Sequence, residues 1–263
     1  ISPLSNSFYK ETRNKLLNLI QEKNLDGFLI TNPANIFYFT GFFYVTNERP
    51  SGFYLSKNNK SKLFIPLLEK ENAERIKVDD VHIYEEFPGE INPYSFMTNN
   101  IIEKKIGTDI KNIDILLSIE NKFEELNHNT GIERFRFEKL EEEIKLITEA
   151  SKYADLTLEY LKECAYDLIK KNYNERELVK ICTEYAKKEM LKNLPAEFDE
   201  TPCNVVATIH SGPRGAFPHG KSLSRIPKKM KLLSVVLVLV SVVYLLSQEL
   251  HLYLGNQTKI KIK

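Results

Sequence analysis

The sequence predicts an α/β fold, and its first half carries the clearest signals. Short apolar segments suited to buried strands alternate there with stretches whose apolar residues recur at helical spacing. Strands that alternate with helices are typical of a parallel or mixed sheet. After about residue 132 this alternation stops and long amphipathic helices follow. The change of pattern predicts two domains, residues 1–132 and 133–263.

The elements of the first domain are predicted in chain order. An amphipathic helix is expected over residues 10–24, where Leu16, Leu17 and Ile20 share one face. Asp26-Gly27 ends this helical pattern, and a further helix is expected over residues 68–76. Four apolar segments are predicted as strands: residues 28–31, 52–55, 62–65 and 81–84.

Two helices are predicted at the start of the second domain. Within residues 137–163, apolar side chains that include Ile144 and Leu161 recur at helical spacing. The next helix is expected to begin at Asn174, because Glu177 follows three residues later. That spacing is typical of a capping box, in which each side chain binds a free backbone N–H group.

Composition narrows the class of protein. Lys plus Arg number 37 and Asp plus Glu number 36, so the formal net charge is +1. This balance gives no reason to expect a nucleic-acid partner, which usually requires a basic excess. The odd number of cysteines, Cys164, Cys182 and Cys203, favours reduced thiols in a cytoplasmic protein over a disulfide framework. No CxxC pair suggests a thiolate metal site.

The segment 208–220 contains the motif of greatest interest. It includes Gly212, Gly215 and Gly220 with two prolines, which impose a tight path with special backbone angles. A histidine in such a loop, here His219, either presents its imidazole to a substrate or is an ordinary histidine of a turn. The four remaining histidines are interpreted as structural: His82, His128, His210 and His251.

Three segments in the same order resemble the creatinase / aminopeptidase P / prolidase family. Residues 211–220, S-G-P-R-G-A-F-P-H-G, are similar to that family's SGPxxAxPHG element. Residues 35–41, N-I-F-Y-F-T-G, are similar to a turn in its N-terminal domain, and the two helices after residue 137 to the start of its pita-bread domain. The resemblance covers about residues 10–229. It implies a creatinase-like N-terminal α/β domain followed by an incomplete pita-bread (α+β) domain.

The resemblance also implies a chemistry. Family members hydrolyse X-Pro peptide bonds with two divalent metal ions, such as Mn or Co, so the implied partner is a peptide with proline in second position. His219 corresponds to a catalytic histidine that lies beside the substrate, is not a metal ligand, and donates a hydrogen bond near the scissile carbonyl.

The metal-binding part of the family pattern is missing. In the family, the histidine element is followed by a strand with two Asp, then by one His and two Glu, which together hold both ions. Here no Asp occurs from residue 200 to the end, and the only Glu there are Glu200 and Glu249. We therefore expect no metal ligand, no bound cofactor and no peptidase activity in this chain. The alternatives are a non-catalytic binding or dimerisation module, which leaves a homodimer open, and a pseudogene product.

The last segment, residues 230–263, departs from the family abruptly after Lys229. Three explanations compete: a truncated or frame-shifted reading frame, a buried pair of strands rich in β-branched residues, and a membrane anchor. The uncharged run at 232–246 is shorter than the roughly 20 residues that a spanning helix needs. We therefore expect no membrane partner.

Overall fold

The computed structural model describes residues 3–44, 49–85, 91–128, 130–198, 204–216, 220–228, 232–241 and 244–253, with backbone only for Asn204 and the last two segments. The chain forms two compact units, Leu4–Leu140 and a second unit that begins at Glu141.

The first unit is a six-stranded mixed sheet with helices. Its strands are β1 Gly27–Ile30, β2 Gly52–Ser56, β3 Ser61–Pro66, β4 Asp80–Tyr84, β5 Lys105–Thr108 and β6 Glu125–Asn127. Its α-helices are α1 Asn6–Glu22, α2 Pro33–Thr40, α3 Lys70–Ala73, α4 Pro93–Asn99 and α5 Ile113–Ile119, with 3₁₀ turns at Leu67–Glu69, Glu120–Lys122 and Ile132–Arg136. The strand order is β4-β3-β2-β1-β5-β6. Strand β2 is antiparallel to β1 and β3, and the remaining pairs are parallel.

Local chemistry explains where the first helices begin and end. The Ser5 hydroxyl accepts a hydrogen bond from the Phe8 amide and caps α1. Asn32 caps α2, whose first residue is Pro33, and Gly41 ends α2 with a φ of 79° that favours glycine. The expected helix at 68–76 is shorter in the structure, as a 3₁₀ turn followed by α3.

All four predicted strands are present, and the central ones are the most deeply buried. Every residue of β1 and β2 is buried, whereas β4 at the sheet edge exposes most of its residues. Continuous burial along a strand is typical of a sheet covered on both faces. One core cluster of the first unit contains Leu29, Tyr54, Phe64, Met97, Ile101 and Ile106.

The first unit extends beyond residue 132, where the sequence pattern placed the domain boundary. Ile132 is buried, and the Tyr38 hydroxyl donates a hydrogen bond to the Phe135 carbonyl at 3.0 Å. The Phe135 ring also makes an edge contact with Phe39, with ring centres 6.2 Å apart. These contacts hold the 3₁₀ turn in the first unit, which ends at Leu140.

We expect the fragment 4–140 to melt cooperatively and the fragment 4–132 to be less stable by about 2 kcal/mol. The shorter fragment lacks the Phe135 carbonyl and ring, and so loses one hydrogen bond and one aromatic contact. Thermal unfolding followed by circular dichroism measures both. Tyr38→Phe in the longer fragment is the matched control, since it removes only the hydroxyl and should cost about 1 kcal/mol. Equal stability of the two fragments would contradict this boundary.

The second unit combines two long helices with an antiparallel sheet. Helix α6 spans Glu141–Lys170 and α7 spans Glu175–Asn193. Strands β7 Asn204–Ser211, β8 Leu232–Ser241 and β9 Tyr244–Tyr253 pair in the order β7-β8-β9. The capping box at Asn174 and Glu177 is confirmed. Between the helices, the Tyr160 and Tyr185 rings stack with centres 4.0 Å apart.

The core of the second unit is made by both helices and β7. Its fully buried members include Leu161, Leu178, Cys182 and Ile209. The expectation that Ile144 belongs to the buried stripe of α6 is wrong, because this side chain is 46% exposed and Leu146 is buried instead.

The segment after residue 230 forms a strand pair in the described backbone. Strands β8 and β9 are antiparallel, and Ser241 lies opposite Tyr244. This corresponds to the strand-pair alternative among the three explanations for the tail. Within the described part of the chain, every helix is too short or too polar to qualify as a membrane-spanning segment.

Candidate functional site

The candidate site is the segment that follows β7. We call residues 212–222 the His loop, because His219 lies in its sequence; Phe217, Pro218 and His219 are themselves outside the described residues. The loop begins at Gly212, whose φ of 59° lies in the region that favours glycine. A 3₁₀ turn at Gly212–Ala216 follows.

The carboxylate of Glu175 joins the two residues that flank the His loop. Its Oε1 accepts hydrogen bonds from the Ser211 amide and the Ser211 hydroxyl, both at 2.8 Å. Its Oε2 accepts from the Leu223 amide at 2.9 Å, and the Arg214 Nε lies 3.8 Å away. Glu175 is completely buried at the first residue of α7. A helix N-terminus is a favourable place for a carboxylate, because free N–H groups point towards it.

His210 binds the loop from β7. Its Nε2 lies 2.7 Å from the Gly220 carbonyl oxygen, and since a carbonyl can only accept, Nε2 carries the proton and donates it. The side chain is 2% exposed. A Cβ on Gly220 would lie 3.2 Å from this nitrogen, so glycine at that position permits the close approach.

Residues 222–225 are bound to the start of α7 and to β7. The Glu175 amide donates to the Arg225 carbonyl at 3.0 Å, and the Arg176 amide donates to Leu223 at 3.3 Å. The Ser222 hydroxyl accepts from the Ile209 amide at 2.8 Å. Backbone contacts therefore continue the anchoring that Glu175 begins.

The residues of this site do not fit a two-metal centre. Such a centre needs several carboxylate oxygens facing the ions. The Glu175 carboxylate instead accepts three hydrogen bonds from Ser211 and Leu223. Among the described residues, no group of three or more His, Cys, Asp and Glu side chains is arranged to hold a metal ion. We therefore derive no metal-dependent step from this site.

The structure brings together Glu175 and His210, neither of which sequence reasoning selected. His210 is expected to be structural because it matches no functional position of the motif, yet it contacts Gly220, the residue that follows His219 in sequence. The sequence pattern does not single out Glu175, because this residue lies beside the capping-box pair, and an acidic residue is ordinary at the start of a helix. A signal was present in the pattern N-E-R-E at 174–177, which has one more acidic residue than the capping box uses.

The remaining histidines and cysteines that the structure describes have ordinary structural surroundings. His82 packs against the Phe64 ring at 5.2 Å, and burial lowers its pKa, while His128 is exposed. Cys182 is buried, which raises its pKa to about 12, and burial also raises the pKa of the Cys164 thiol. Neither thiol is suited to act as a nucleophile at neutral pH. Cys203 and the side chain of His251 lie outside the described residues.

Comparison of the sequence with known proteins finds similarity to one protein family and to several peptidases. The model of the creatinase/prolidase N-terminal domain matches residues 13–144, which is half of the chain. A Xaa-Pro dipeptidase of Pyrococcus furiosus is 30% identical over 220 residues, which cover 80% of this chain and 55% of that protein. An uncharacterized peptidase of Staphylococcus haemolyticus is 26% identical over 219 residues, covering 78% of this chain and 55% of its own. The chain thus spans about half the length of these relatives.

Solved structures show the same fold. A dipeptidase from Pyrococcus horikoshii superposes with a TM-score of 0.72 at 21% identity, covering 93% of this chain and 66% of that one. A prolidase from Pyrococcus furiosus gives 0.69 at 20% identity, covering 91% and 69%. The predicted fold class is confirmed: a mixed α/β N-terminal domain followed by part of a pita-bread domain. The family match over half of the sequence and the shared fold together show that this chain belongs to the creatinase/prolidase family.

Proposed function

We propose that this chain is a prolidase-like protein that does not hydrolyse X-Pro peptide bonds by itself. The observation that carries the proposal is the small number of carboxylate side chains from residue 200 onwards. From residue 200 onwards there is no Asp, and Glu200 and Glu249 are the only Glu. Two separated carboxylates are too few for a centre in which paired ions activate water and polarise the scissile carbonyl.

The His loop supports a role in contacting a peptide. In this proposal His219 donates a hydrogen bond near the carbonyl that precedes the proline of a bound X-Pro peptide, which is the position where negative charge develops when an active family member hydrolyses the bond. The described residues on either side of it are bound to Glu175 and His210. If neighbouring residues are held in place, the His219 side chain can donate its hydrogen bond in one direction. Positioning a substrate requires such a donor.

The proposed setting is the cytoplasm. Cys164 and Cys182 are free thiols, which fits a reducing compartment.

The second candidate function is a non-catalytic binding or dimerisation module, and the six-stranded sheet of the first unit, with its own core, favours it. Light scattering on the purified chain would detect the homodimer that this candidate includes.

The test is a metal and activity measurement on the purified chain. We expect that, after dialysis with Mn²⁺ or Co²⁺, the chain retains no pair of tightly bound ions and hydrolyses no X-Pro dipeptide, because the carboxylates that would hold the ions are missing. Elemental analysis and an assay of released proline measure the two results. The Xaa-Pro dipeptidase of Pyrococcus furiosus, treated in parallel, shows that the assay works. Two retained equivalents together with turnover would refute the proposal.

A further inference from the structure

Glu175 is placed where a single side chain controls both ends of the His loop. Ser211 is the residue before the loop and Leu223 the residue after it, and both donate hydrogen bonds to this one carboxylate. We infer that Glu175 is a positioning residue: it holds Ser211 and Leu223 together, so that the described parts of the loop next to them, residues 212–216 and 220–222, keep one arrangement. The inference rests on the proposed function only for the role of His219.

The two carboxylate oxygens of Glu175 accept hydrogen bonds from opposite ends of the loop. Oε1 binds the amide and hydroxyl of Ser211, whereas Oε2 binds the Leu223 amide. Bringing together the ends of a loop costs chain entropy, and a buried carboxylate that accepts hydrogen bonds from both ends offsets that cost. A neutral amide cannot do the same, because its NH₂ group would face the N–H of one of the two ends.

Contacts within the loop depend on this closure. Arg214, three residues into the loop, donates to the Lys221 carbonyl and lies beside Glu175 Oε2. His210 donates to the Gly220 carbonyl. Both bonds involve residues that lie close in sequence to Ser211 or Leu223, so in this proposal they weaken when the Glu175 carboxylate is removed, although backbone contacts of residues 222–225 remain. Glu175 thus acts on described loop residues beyond the ones to which it is hydrogen-bonded.

Trypsin gives a direct readout on the full-length chain, since Arg214 and Lys221 provide two cleavable bonds inside the loop. We expect Glu175→Ala to accelerate cleavage after both residues by roughly tenfold or more, because cleavage follows the population of the locally opened state. Cleavage within the helices, for example after Lys187, should keep its wild-type rate. Mass spectrometry of the timed digests identifies each bond.

Glu177→Ala is the matched control. It removes a carboxylate from the same helical turn, but the Glu177 carboxylate accepts its hydrogen bond from the Asn174 amide at the start of α7 and not from Ser211 or Leu223. We expect wild-type cleavage of the two loop bonds in this variant. If Glu175→Ala does not fold, Glu175→Gln replaces it: the amide has nearly the same shape and keeps one accepting oxygen, so it should release one end of the loop and give an intermediate rate.

A spectroscopic readout separates positioning from general stabilisation. The Nε2–H of His210, bound to the Gly220 carbonyl, should give a protected ¹⁵N–¹H signal, assigned by its disappearance in His210→Gln. We expect Glu177→Ala to retain this signal and Glu175→Ala to lose it, while circular dichroism shows intact helices. Wild-type loop cleavage in a folded Glu175 variant would overturn the inference, and so would equal acceleration at loop and helix sites. Either result is independent of the metal and activity test of the proposed function.

Discussion

Replacing Asp109 by alanine is expected to destabilise the first unit by about 3–5 kcal/mol, since removing one member of a buried charged network leaves its partners unsatisfied. Asp109 is 6% exposed and follows β5 directly. It accepts hydrogen bonds from the Thr31 amide at 2.7 Å, from Asn35 Nδ2 at 2.9 Å and from the Asn32 amide at 3.2 Å. The variant would remove the acceptor from all three donors, of which the Asn35 amide group is buried.

Urea unfolding of the full-length chain, followed by near-ultraviolet circular dichroism, measures this loss. Asp109→Asn is the matched control, because its one remaining oxygen still accepts from Thr31 while its amide faces the donors of Asn32 and Asn35. We expect it to lie between the wild type and Asp109→Ala. An alanine variant within 1 kcal/mol of the wild type would show that the network is not important for stability.

The stabilities of the wild type and of Asp109→Asn are expected to differ in their dependence on pH. Burial raises the pKa of Asp109, and the hydrogen bonds from Asn35, Thr31 and Asn32 oppose that rise only in part. Between the ordinary value of about 4 and the raised value, the folded state therefore binds more protons than the unfolded state, and stability falls as the pH rises through this range. Asp109→Asn does not titrate. The advantage of the wild type over it should therefore narrow from pH 4 upwards.

Phe28→Ala is expected to cost about 3–5 kcal/mol, the range typical of deleting a buried aromatic ring. Phe28 is completely buried in β1, which lies between β2 and β5. Its ring covers Gly107 of β5 so closely that a Cβ there would lie 2.5 Å from a ring carbon. The small residue opposite leaves little side-chain volume to collapse into the cavity.

Denaturant unfolding of Phe28→Ala is best compared with two other variants. Phe28→Leu keeps most of the buried apolar volume and should cost clearly less. Phe137→Ala removes a ring that is 77% exposed and should change stability by less than about 0.5 kcal/mol. If the Phe28 and Phe137 alanine variants lose similar stability, the ring of Phe28 is not part of the core.

Local sequence patterns determined much of this protein. The four predicted strands and the cap at Asn174 and Glu177 depend on neighbouring residues, and the structure contains them all. The motif at 211–220, the segment at 35–41, which the structure folds as most of α2 and its cap, and the two helices after residue 137 together indicated the family. The lack of Asp after residue 199 is also a property of the sequence alone. The strands, the helix cap and each single motif involve residues that are close in the chain, so they can be predicted without the rest of the fold.

The tertiary structure decided the features that join distant residues. Asp109 meets Thr31, 78 residues away, because β1 and β5 are parallel neighbours whose carboxyl ends lie at one edge of the sheet. The first unit extends past residue 132 because the Tyr38 hydroxyl donates a hydrogen bond to the Phe135 carbonyl, 97 residues further along the chain. Glu175 reaches Ser211 and Leu223 over 36 and 48 residues. A carboxylate at a helix start is normally exposed to water, and only the packing of β7 and the loop against α7 buries this one.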